Sequence, residues 1–133
     1  MADGTYEERL DCGGTLRVMK SGWEVRYYFP GLDLRHKGEF VTVPGASIRN
    51  YILAWNTNWA EFEQLKQAIP AGGEFSKVGV QGMSIRIGQF RPGVCIHSYH
   101  MPISTRGDLD RIIRAYEYAA LRAPKVQHLL ETL

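Results

Sequence analysis

Arg17, Arg26 and Tyr28 recur along the chain as Arg86, His97 and Tyr99, in the same order and nearly the same frame. The first set lies in Thr15-Leu16-Arg17-Val18, a three-residue spacer, then Gly22-Trp23-Glu24-Val25-Arg26-Tyr27-Tyr28. The second lies in Ser84-Ile85-Arg86-Ile87, a five-residue spacer, then Gly93-Val94-Cys95-Ile96-His97-Ser98-Tyr99. Bases and tyrosines held together suit one chemistry above others. Cations follow a phosphate backbone, and aromatic planes stack on unpaired bases at ~1–3 kcal/mol per base, whatever the sequence. Lys20, Arg35, Lys37 and Arg91 stand in adjoining turns, where long side chains reach phosphates. The competing interpretation is an ordinary solvated sheet face whose polar residues pair across strands, Arg17 with Glu24 for example.

Other groupings carry less. Cys95, His97 and His100 cluster, but on alternating strand faces His100 points away from the other two, and a metal site needs convergent ligands. Glu61 and Glu63 diverge on a helix, so they form no acid–base pair. Gly72-Gly73 follows a helix instead of opening one, so it is no phosphate loop. Asp108 and Asp110 suit a helix N-terminus. No catalytic constellation outweighs its structural explanation, and the chain reads as a non-enzyme with no cofactor and no metal, a metal-dependent enzyme being the lesser alternative.

The elements that must position these residues follow from periodicity. Thr15–Lys20 and Trp23–Phe29 alternate around Ser21-Gly22 as a hairpin. Alternation puts Leu16, Val18, Trp23, Val25 and Tyr27 on one face and Arg17, Met19, Glu24, Arg26 and Tyr28 on the other. Thr5 to Asp11 is a further strand, and Glu39–Val43 another. Ile48, Tyr51, Ile52, Trp55, Trp59, Phe62, Leu65 and Ile69 make one apolar helical stripe, stopped by Pro70. Asn56-Thr57-Asn58 form helix poorly, so a break there, or a cap at Asn58, is expected. The cycle restarts with strands at Phe75–Val80, Met83–Ile87 and Gly93–Tyr99, and a short fourth at His100–Ile103. Thr105 with Asp108 resembles a capping box. Leu109, Ile112, Ile113, Tyr116 and Ala120 form a second stripe, which Pro124 is expected to end. Val126, Leu129, Leu130 and Leu133 then make an amphipathic tail.

The expectation is an α+β fold of two antiparallel sheet units, ββββα twice over, each sheet covered by the helix that follows it. One domain spans 1–133, with units at about 5–70 and 74–122 and a tail at 124–133. The sheets' uncovered faces are where function is sought.

The stretch Ile85-Arg86-Ile87-Gly88-Gln89-Phe90-Arg91-Pro92-Gly93-Val94-Cys95-Ile96-His97-Ser98-Tyr99-His100 resembles the core motif of the single-stranded-DNA-binding transcriptional coactivator family. That motif runs Arg, β-branched, spacer, Phe, any residue, Gly, and a strand ending Arg, any residue, Tyr, Tyr. His97 stands where the family has Arg, and Pro92 is extra; the first copy keeps Arg26-Tyr27-Tyr28 without the turn Phe. The family's unit is four strands and a helix, and plant Whirly proteins resemble two such units in one chain. The element order matches that duplicated plan over about residues 5–122, and the resemblance implies single-stranded nucleic acid binding.

Bulk properties bound the rest. The net charge of +2 excludes a strongly basic tail but not a local basic face. Two cysteines without CxxC spacing give no disulfide framework, so a reducing, cytoplasm-like compartment is the default. No apolar run approaches the ~18 residues of a membrane span. The amphipathic tail suits a homo-oligomer, or a protein-interaction or inhibitor domain that needs no nucleic acid. If only one copy of the repeat binds, the first, with two arginines and a tyrosine, is the better choice.

Overall fold

The computed structural model describes residues 4–29, 39–90, 92–96 and 102–133. Its first half is an antiparallel sheet in the order β1 (Tyr6–Arg9), β2 (Thr15–Met19), β3 (Gly22–Phe29), β4 (Glu39–Pro44). α1 (Ile48–Ala68) follows. The second half is β5 (Phe75–Val78), β6 (Ser84–Ile87) and β7 (Gly93–Cys95), antiparallel in that order, followed by α2 (Arg106–Glu131). The α+β class and the antiparallel sheets are as expected. The duplication is partial, because the second sheet has three strands among the described residues. Its fourth place is held by one bridge, in which Val94 and Ile103 exchange backbone hydrogen bonds of 2.9 and 2.8 Å.

The alternation of the first hairpin holds. Leu16, Val18, Val25 and Tyr27 are buried, and Arg17, Met19, Glu24 and Arg26 on the opposite face are half-exposed. The two hairpins are not in the same register. Leu16 pairs with Val25, so sequence alignment of the copies would pair Ile85 with Ile96, yet Ile85 pairs with Val94. The shift is two residues, which keeps every side chain on its face.

Both helices run through the residues expected to interrupt them. α1 is continuous across Asn56-Thr57-Asn58. Asn58 is no cap: it is fully buried, and its side-chain amide grips the backbone of Val80, donating to the carbonyl at 3.0 Å and accepting from the N–H at 2.8 Å. That grip clamps the turn joining β5 to β6. Gln81 and Gly82 both take left-handed φ there (+59° and +71°), the geometry of a type I′ hairpin turn. The clamp leaves no room beside it: a Cβ on Gly79 would collide with the Asn58 carbonyl oxygen. Glu61, one turn further along α1, pairs with Lys77 of β5.

α2 is likewise continuous across Pro124, so residues 124–133 are mostly its last turns and not a separate tail. A mid-helix proline costs ~3 kcal/mol through its missing N–H and its ring. Burial of Ala123, Val126 and Leu130 offsets this, the two larger side chains contributing ~1.5–3 kcal/mol each. Thr105 caps the helix by accepting from the Asp108 N–H at 3.2 Å.

The helices do not cover the sheets that precede them. α1 lies mainly against β6 and β7, meeting its own sheet at β4, and α2 lies against β2 and β3. The apolar stripes nonetheless meet in one core. Tyr27 of β3 packs against Tyr116 of α2 with ring centroids 5.7 Å apart and planes tilted by 44°, and its hydroxyl faces Trp55 of α1. Burial pushes the Tyr27 hydroxyl well above its ordinary pKa. Among the described residues, no helix is long and apolar enough to cross a membrane.

Candidate nucleic-acid interface

The outward face of the first sheet is a ladder of opposed charges. Register places Glu7, Arg17 and Glu24 in one row across β1, β2 and β3. Arg17 pairs with Glu7 at 3.8 Å, a long and half-exposed ion pair. The next row holds Arg9, Thr15, Arg26 and Thr42. Arg26 is half-buried and already engaged. Lys20 is exposed in the β2–β3 turn, which is pinned to α2 where Gln127 donates to the Lys20 carbonyl at 3.0 Å. The backbone of Tyr28 sits in β3 opposite Phe40. Its side chain lies outside the described residues, as do Arg35, Lys37, Arg91, His97 and Tyr99. The expected correspondence of Arg26 with His97 and of Tyr28 with Tyr99 therefore has no described counterpart.

The second sheet treats its arginine differently. Arg86 is flanked by Ser76 on β5 and Gly93 on β7, and neither carries charge. It makes no hydrogen bond or ion pair among the described residues. It lines an open groove of about 440 Å³ with Glu74, Ser76, Gly88 and Phe90. Phe90, at the turn after β6, is 73% exposed. One pair beyond Phe75↔Ile87, Glu74 falls opposite Gly88 on the same outward face as Ser76 and Arg86. Gly88 has φ +144°, and a Cβ there would sit 3.1 Å from the Glu74 Cγ, so the glycine lets the Glu74 stem lie across the strand. The face is open toward β5 only. Cys95 shares the outward parity of Ser84 on β7 but is 2% exposed.

Phe90 and Glu74 fall outside the binding residues that the repeat selects. Phe90 does carry a signal, since a large apolar side chain in a Gly- and Pro-rich turn has no core to enter. Glu74 carries none, because its position depends on the β5–β6 register. Among the described residues no cluster of His, Cys, Asp and Glu could hold a metal; His97 and His100 lie outside them. Comparison of the chain with family models, with curated proteins and with solved structures finds no match.

Proposed function

We propose that the chain binds single-stranded nucleic acid, largely without regard to sequence, through the open face of its second sheet. The observation that carries this reading is Arg86, uncommitted to any acid among the described residues, in an open groove beside the exposed ring of Phe90. An unpaired guanidinium is available to a phosphate, and an exposed ring to a base that is not already stacked in a duplex. The first sheet is the weaker half of such an interface, because Glu7 and Glu24 compete with phosphate for Arg17. This moves the preferred site from the first copy of the repeat to the second. The reading needs neither catalysis nor a cofactor, and it agrees with the resemblance to the coactivator and Whirly pattern, whose motif includes Arg86 and Phe90 themselves. A titration of labelled single-stranded and duplex oligonucleotides against salt tests it. Single strands should bind more tightly, with affinity falling as salt rises; no binding at low salt, or a preference for duplex, sinks it.

A second reading is self-association without nucleic acid. It is favoured by Leu121 and Leu129, 73% and 60% exposed two turns apart on α2, and by Leu133 just beyond its end, 76% exposed. Light scattering on the eluted protein, repeated on Leu129→Glu, tests it: a dimer that the variant dissociates supports it, and a monomer rejects it.

A further inference from the structure

The groove on the second sheet holds two opposite charges that do not meet. Arg86 and Glu74 both line it on the outward face, yet no ion pair joins them. A groove meant only for phosphates gains nothing from a carboxylate. Glu74 is exposed, makes no ion pair or hydrogen bond among the described residues, and is laid across the strand by the missing side chain of Gly88.

We infer that Glu74 makes this groove a guanine-preferring subsite, an inference that rests on the single-strand reading above. A carboxylate accepts two parallel hydrogen bonds. Guanine is the one common base whose Watson–Crick edge presents two adjacent donors, N1–H and the 2-amino group. Cytosine and adenine set their amino donor beside a ring-nitrogen acceptor, and thymine sets its N3–H between two carbonyls. Each would bring a lone pair against a carboxylate oxygen. The arrangement assigns Phe90 to the base plane, Arg86 to the phosphate and Glu74 to the base edge. In a duplex that edge is occupied, so the same residue rejects paired guanine.

The test is fluorescence anisotropy at one low salt concentration with three labelled oligomers. One is all thymine, one carries isolated guanines in thymine, and one carries inosine, which lacks the 2-amino group, at those positions. The wild type should bind the guanine oligomer about tenfold more tightly than thymine, the scale of one bidentate base contact, with inosine between them. Glu74→Gln should erase that difference and retain thymine binding. Glu74 is exposed, so the variant should keep its fold, checked by circular dichroism. Equal affinity for guanine and thymine overturns the inference while leaving the single-strand reading intact. So does inosine binding as tightly as guanine, or a preference that survives in Glu74→Gln. Failure of every oligomer to bind removes both.

Discussion

The outward faces of the two sheets begin from one residue pattern and arrive at different charge pairings. Arg17 and Arg86 occupy the same place in their repeats, each third in a hydroxyl–aliphatic–Arg run on the inner strand of a hairpin. Arg17 has Glu7 on one side and Glu24 on the other, whereas Arg86 has Ser76 and Gly93. What separates a cation committed to its own sheet from one free for a ligand is therefore not the repeat. It is the strand placed alongside, whose sequence lies outside the motif. A repeated motif fixes where a side chain points; its neighbours fix what that side chain is free to do.

The largest effect is expected from unclamping the second sheet. Asn58→Ala leaves the Val80 N–H without its acceptor and the Val80 carbonyl with only the Met83 N–H at 3.3 Å, and should cost about 2 kcal/mol, read as a lower urea midpoint. A loss under ~0.5 kcal/mol would show that the β5–β6 turn holds itself. Next in size, Arg86→Ala should weaken single-strand binding about fivefold and lower the salt slope by about one, whereas Arg17→Ala should change neither. Equal effects from the two substitutions would erase the distinction between the faces. Removing the acids beside Arg17 should give its face the character of the second. Glu7→Gln with Glu24→Gln frees Arg17 and should raise affinity about two- to threefold at low salt, with the gain lost at high salt. The smallest effect is on folding: Arg17→Ala should cost under ~1 kcal/mol in thermal unfolding, since its ion pair is long and half-exposed.

Much of the fold is legible in the order of residues alone. Strand alternation places Leu16, Val18, Val25 and Tyr27 inward, and the stripe from Ile48 to Leu65 lies on the packed side of α1. Local signals work where the local pattern decides the energy. They mislead where a distant partner does. Asn58 reads as a helix breaker because its propensity is poor, but its amide is spent on Val80, twenty-two residues on. Pro124 reads as a stop, but Val126 and Leu130 beyond it are buried in the core. The groove is least legible. Glu74 reaches it through a register and a glycine, and neither is visible in residue types taken one position at a time.

The crossing of the two helices bears on how the chain reaches its native state. Each sheet is roofed by a helix made in the other half, so a fragment ending near Gly72 leaves its four strands without α2, and the complementary fragment leaves its three without α1. The halves stand to one another as two subunits that have traded arms and been tied together through residues 69–74. Cut there, neither piece should hold its sheet alone; mixed, the pieces should restore one cooperative transition. A half-length ancestor built on this plan would have been an obligate pair.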